Sequence, residues 1–274
     1  KTGLAISGAN DESGVLQFVV DGDQEVEVSS YRVHVKDAAG NSLSSDMEGV
    51  KQIPADVLRL ATDSGAPQLS VSFDNNDVRN GRYFNAGRTG VWTVTEPNFH
   101  LLREFDPDQE VVRIDEGGQL HVFRVKDFQR VGADQWQVSY DFFSDEDYAV
   151  EARIVDLVGK SSESFSASFT VDKTAPSINV TFDNEGAAMG SYYSAARTAT
   201  ISITEHNFSS DLINVAPTSG AGNGTSMGAA SPSGWSSNGD THTCTVSFPG
   251  PGVYSMTVSG TDAALNSLPA YTCP

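Results

Sequence analysis

The chain has 274 residues, 38% of them hydrophobic, and carries a formal net charge of −19 at pH 7. That length allows two domains and part of a third. The acidity excludes nucleic acid and anionic membrane surfaces as partners, since both need a basic face, and favours solubility and divalent cations. No apolar run approaches the roughly 18 residues of a transmembrane helix. No signal peptide opens the chain, so Lys1 reads as the start of a mature chain or of a cut-out piece.

Residues 31–41 read YRVHVKDAAGN, an alternating strand that ends in a turn signal. The same unit ending recurs at Tyr148–Lys160 and at Tyr254–Asn266. In each, the Asp bonds its own turn backbone and a Gly or Asn takes the positive φ. Residues 1–61 therefore read as the tail of a unit, a partial or N-terminally truncated domain. Residues 53–58 are expected to form a short turn of helix.

A joint follows at Thr62–Pro67, and residues 66–99 then recur at 175–208 with every matched position 109 apart. The two copies share 15 of 34 residues, among them Arg88/Arg197, Glu96/Glu205 and Asn98/Asn207. A period near 110 is the size of a domain rather than of a solenoid unit. Each copy carries two strands. Leu69, Val71 and Phe73 match Ile178, Val180 and Phe182 on one apolar face. Trp92 and Val94 match Ile201 and Ile203 on the next strand. Such period-two patterns mark half-buried strands.

The first full unit continues with further strand patterns at 111–114, 120–125 and 136–140. A second joint stands at Val171–Pro176, and short Pro-containing links of this kind are semi-rigid. In the second full unit a Gly/Ser stretch, 216–239, is expected to be a long loop. At least six short strands per unit and no convincing helix predict an all-β chain of tandem immunoglobulin-like (Ig-like) β-sandwiches, with domains at 1–61, 62–171 and 172–274.

The segments FTVDKTAP and YYSAARTATISITEHNF, closed by a Tyr-rich strand and Asp-x-x-Gly-Asn, resemble the bacterial Ig-like repeats of large Gram-positive cell-surface proteins. The resemblance covers 62–274 fully and 1–61 in part. Thr62–Gly65 is a weak version of Val-Asp-Lys-Thr, and Asp262–Asn266 lacks the Gly. The resemblance implies extracellular, wall-attached arrays with stalk or adhesive roles. Their partners would be neighbouring Ig-like domains and a host or surface protein or glycan.

The candidate sites are few. Asp63 and Asp172 stand at the joints, where a few carboxylates and carbonyls from two domains could hold a structural Ca²⁺; no other cofactor is expected. Tyr83-Phe84 and Tyr192-Tyr193 are aromatic doublets in which one ring must face in and one out, so the outer ring could stack on sugar or protein. Glu96 shares a face with Trp92 and Val94 and is expected to meet a neighbouring strand, a turn or a backbone N–H. Cys244 and Cys273 both lie on inward faces and are either a disulfide across the sandwich or two buried thiols.

Catalytic signals are absent or out of context. Gly224–Gly228 matches G-x-S-x-G but lacks the strand and helix that the motif needs. Gly220–Gly224 lacks the βαβ unit of a phosphate cradle. The five histidines show no zinc spacing, and no pair of carboxylates is marked out as a glycosidase pair. The sequence thus reads as a non-catalytic stalk or spacer with adhesion as a further role. The competing reading is an accessory carbohydrate-binding or spacer module of a larger secreted enzyme.

Overall fold

The computed structural model describes residue 63 and residues 65–274, apart from 185, 188, 190, 221–228, 251 and 274. Of residues 1–61 it describes the backbone of six short strands: β1 (Leu4–Ser7), β2 (Gln17–Val20), β3 (Glu25–Glu27), β4 (His34–Lys36), β5 (Ser42–Ser44) and β6 (Arg59–Ala61). They pair as β1–β2, β3–β6 and β4–β5. The turn of helix expected at 53–58 lies outside the described residues.

The first full module holds β7 (Gln68–Phe73), β8 (Tyr83–Phe84), β9 (Arg88–Thr95), β10 (Glu110–Glu116), β11 (Gln119–Arg124), β12 (Gln129–Arg130), β13 (Gln135–Phe142), β14 (Glu146–Ala152) and β15 (Phe165–Val171). One sheet runs β12-β13-β9-β7 and the other β11-β10-β14-β15-β8. The alternation read from sequence holds: along β9 the residues Trp92 and Val94 are fully buried while their neighbours are not. Between the sheets, Trp92, Phe142, Tyr148 and Phe169 form one core with Val94, Val112, Ile114 and Val150. Fully burying side chains of this size stabilises by roughly 1.5–3 kcal/mol each.

Gly90 shows why the two modules differ in sequence at a matched site. A Cβ on Gly90 would stand 2.9 Å from the Trp92 ring and 3.0 Å from Phe73 and Phe142. In the second module Ile201 replaces the indole, and Ala199 fits, fully buried, at the matched place.

One helix was not foreseen. α1 (Phe99–Phe105) follows β9 directly and buries Phe99, Leu101 and Leu102. Its seven residues are too few to show an amphipathic period, and its stability comes from packing: Phe99 stacks on Trp136 with ring centroids 4.8 Å apart.

The second module holds β16 (Ser177–Phe182), β17 (Arg197–Thr204), β18 (Ile213–Gly220), β19 (Ser231–Pro232), β20 (Ser236–Asn238), β21 (Thr241–Phe248), β22 (Val253–Gly260) and β23 (Tyr271–Cys273). One sheet runs β16-β17-β21-β19, with β20 also on β21; the other runs β18-β22-β23. The 216–239 stretch is therefore not a simple loop. Its start continues β18, and Ser and Thr side chains tie β20 to β21, as in Ser236 Oγ to Thr243 Oγ1 at 2.7 Å.

The first module also contains a polar network around Glu116. Tyr140 donates to Glu116 Oε2 at 2.6 Å, Tyr148 Oη lies 3.0 Å from Glu116 Oε1, and His121 Nε2 lies 3.0 Å from Glu116 Oε2. The Tyr140 hydrogen bond is the largest of the effects that hold the Glu116 carboxyl below its usual range. Burial first, and then the hydrogen bond to Glu116, raises both phenols, Tyr148 to about 12. A raised folded-state value means that the tyrosine contribution is fully present below the ordinary value near 10 and is lost as pH rises through about 12. Glu116 has the opposite sign, its contribution being lost as pH falls through its depressed value. A tyrosinate titration at 295 nm is expected to show two of the eight tyrosines ionising only near or above pH 12. Glu116→Gln should lower both values while leaving the part of the shift that burial causes. Normal ionisation of all tyrosines in folded protein would contradict this network.

Candidate functional site at the module joint

Three strand ends meet where the second module begins. Asp172 follows β15, Glu205 follows β17 and Asp262 follows β22. Their backbones are pinned: Asp172 N donates to Phe84 O at 2.9 Å, Glu205 N to Asp240 O at 2.8 Å and Asp262 N to Asn266 O at 3.1 Å. This fixes the side chains so that one carboxylate oxygen from each lies within 4.8 Å of the others. Asp172 is 4% exposed, Glu205 7% and Asp262 1%.

Amides and turn N–H groups hold these carboxylates. Asp172 accepts from Thr174 N at 3.2 Å and from Asn207 Nδ2 at 2.9 Å. Glu205 Oε1 accepts from Asn207 N at 2.7 Å. Asp262 accepts from Asn266 N at 2.9 Å and from Asn266 Nδ2 at 2.8 Å. None of the three forms an ion pair with a basic residue among the described residues. The nearby His206 turns outward to Asp240, at 3.0 Å.

The electrostatics follow. Burial, first, raises all three carboxyls above their usual range; the neighbouring carboxylates add to the rise at Asp172 and Glu205. Two ionised carboxylates this close repel by roughly 3 kcal/mol at an effective dielectric near 20. These neutral donors do not remove that repulsion; a positive charge or a proton does. A groove of about 710 Å³ opens beside them, and Asp145, Asp147, His206 and Asp240 line it along with Asp172 and Glu205. Hard oxygen donors without nitrogen or sulfur suit Ca²⁺ or Mg²⁺ rather than a transition metal.

The first module carries the matching acids, Asp63, Glu96 and Asp156, with different partners. Glu96 is 2% exposed and accepts from Asn98 N at 2.8 Å. Asp156 is 7% exposed and accepts through Oδ1 from Val158 N at 2.9 Å and Lys160 N at 2.7 Å. Its Oδ2 is buried without a hydrogen-bond partner, and so is Asn98 Nδ2. Where Asn266 Nδ2 donates to Asp172 O and Thr174 O, the Lys160 ammonium donates to Asp63 O at 2.7 Å and Gly65 O at 3.4 Å.

Of the joint acids marked in the sequence, Asp172 thus joins a cluster and Asp63 stands half-buried with its carbonyl on Lys160. Glu205 and Asp262 were not anticipated as its companions. The available signal was that the Asp, Glu, Asp set recurs, at 63, 96 and 156 and again at 172, 205 and 262. Glu96 does meet a backbone N–H group, as expected of it, and Glu205 does the same.

The aromatic doublets divide as the strand rule requires. Phe84 is 4% exposed and belongs to the core, so it is not a ligand surface. The Arg88 guanidinium lies 3.8 Å from the Phe73 ring, 4.1 Å from Phe84 and 4.6 Å from Phe169. Tyr193 likewise packs on Arg197 at 3.7 Å, and Tyr83 is half-buried beside Arg82. Tyr192 stands open, 75% exposed.

No disulfide joins Cys244 and Cys273 in this structure. They sit on different sheets: Cys244 on β21, with its thiol 3.3 Å from Ser233 O, and Cys273 on β23 opposite Met256. A Ser–His pair also occurs. His242 Nε2 lies 2.8 Å from the Glu205 carbonyl, which only accepts, so Nδ1 accepts from Ser237 Oγ at 2.7 Å. By strand register His242 takes the place of Trp136, and it stacks on Phe208 as Trp136 stacks on Phe99. That is a core role. The G-x-S-x-G segment lies outside the described residues.

No family model and no curated protein matches the chain. Among solved structures, one marsupial T cell receptor chain is 10% identical, with a TM-score of 0.26 over 78% of this chain and 98% of that one. Another marsupial T cell receptor chain is 9% identical, with a TM-score of 0.27 over 97% and 84%. At those scores the likeness carries no argument, and the fold stands on the strand pairing above. The chain is an all-β protein of tandem Ig-like sandwiches.

The placement of the doublets makes a prediction. Phe84→Ala should destabilise the first module by about 3–5 kcal/mol in urea unfolding, as a buried aromatic truncation does. Tyr192→Ala should stay within about 0.5 kcal/mol. Equal effects would contradict the assignment of one ring to the core and one to the surface.

Proposed function

We propose that this chain is a non-catalytic spacer segment of an extracellular, cell-surface protein, holding other parts of that protein at a fixed distance and direction and serving in adhesion. The observation that supports it is the anchoring of the linker between the two full modules. Toward the first module, Lys173 Nζ donates to Phe143 O at 2.5 Å and Thr174 Oγ1 to Asp145 Oδ2 at 2.5 Å. Toward the second, Asn207 and Asn266 donate to Asp172 and Thr174. Asn80 Nδ2 adds a direct bond across the joint to Ala263 O at 2.7 Å. Pro176 and the short spacing leave few free torsions. The duplicated units and the resemblance to Gram-positive surface repeats supply the cellular setting of the proposal, with neighbouring Ig-like domains and a surface protein or glycan as partners.

The accessory carbohydrate-binding reading has one observation in its favour, the open ring of Tyr192 beside Met189, each 75% exposed. A glycan panel with Tyr192→Ala as control addresses it.

Residual dipolar couplings on the full chain test the spacer reading. Amides of 66–171 and of 177–273 should fit one alignment tensor of one magnitude. Two tensors of clearly different magnitude would mean that the modules tumble separately, and the reading would fail.

A further inference from the structure

A buried acidic cluster by itself is an ordinary feature, and two further observations separate this one. Glu205 is 7% exposed and uses Oε1 on Asn207 N, while its other oxygen has no hydrogen-bond donor among the described residues. In the sister module the Oδ2 of Asp156, the counterpart of Asp262, is buried without a hydrogen-bond partner, and the Lys160 ammonium stands on the Asp63 and Gly65 carbonyls where the second module has only the neutral amide of Asn266. One copy of the arrangement carries its own cation and the other does not.

We propose that Asp172, Glu205 and Asp262 form a binding site for a divalent cation of the Ca²⁺ class, which locks the start of the second module to its linker. Oxygens sharing one Ca²⁺ at 2.3–2.6 Å stand at most about 5 Å apart. The three carboxylate oxygens fall within that limit, at 4.8 Å. The three acids come from three separate strand ends, so one ion ties β15, β17 and β22 together. The unpartnered Glu205 oxygen supplies a free ligand atom, and the groove supplies an entry and room for the waters that complete a shell of 6–8 oxygens. Mg²⁺ fits less well, because it holds near-ideal octahedral geometry and keeps its waters. The site deepens the spacer reading, since the same Asp172 is the linker residue held by Asn207 and Asn266.

Isothermal titration of the metal-stripped full chain with CaCl₂ at physiological salt provides the test, alongside thermal unfolding. The wild type should show saturable binding above the diffuse attraction of a chain of charge −19, and a higher Tm with Ca²⁺. Glu205→Gln retains an acceptor for Asn207 N and should weaken binding at least tenfold. In metal-free buffer its Tm should equal or exceed that of the wild type, which a merely misfolded variant would not show. No saturable isotherm in the wild type, or an isotherm unchanged by Glu205→Gln, would overturn the site. One shared alignment tensor without calcium binding would overturn the cation and leave the spacer reading standing.

Discussion

Everything at the joint depends on carboxylates buried where strands end. Glu205 closes β17 as Glu96 closes β9, and each accepts the N–H of the Asn two residues on. That bond turns the chain out of the central strand and fixes where α1 or the matching 207–212 segment begins. In the second module the freed Asn207 side chain reaches the linker at Asp172, and the Asn207 backbone carbonyl accepts from Ala263 N at 3.0 Å. Burying such groups is costly unless every oxygen is met. The hydrogen bonds meet most of them, and the uncompensated charge is what singles the place out.

Much of the fold was legible because its signals are local. The period of two along β7, β9, β16 and β17 names the inward residues, and the offset of 109 shows that both modules use the same ones. The core arrived at is the one those faces predict. The Gly90/Ala199 exchange is legible only afterwards, since it compensates for a ring that one module has and the other lacks. α1 escaped notice because seven residues carry too little periodicity, and β18 because Gly, Ser and Thr in 216–220 resemble a loop until a partner strand is known.

The joint cluster was legible in part. Asp172 was visible as an acid beside a Pro-containing link, but Glu205 lies 33 residues away and Asp262 a further 57. Only the fold brings them together: the turn after β17 meets the turn after β22, where Ala263 N donates to Asn207 O, and meets the linker, where Asn207 Nδ2 donates to Asp172. The aromatic doublets show the limit of alternation as a guide. It tells that one ring goes in, and the structure shows which: Phe84 is held there by the Arg88 guanidinium, a cation–π contact worth most when desolvated.

The most direct test of the fixed joint is amide hydrogen exchange at Thr174, Asn207 and Asn266, whose N–H groups point at Asp172, Glu205 and Asp262. If the carboxylates hold the linker, these three amides exchange as slowly as the ends of β15, β17 and β22 to which they are tied. Exchange at the rate of open loops, with the strands still protected, would show that the joint is loose and contradict the account.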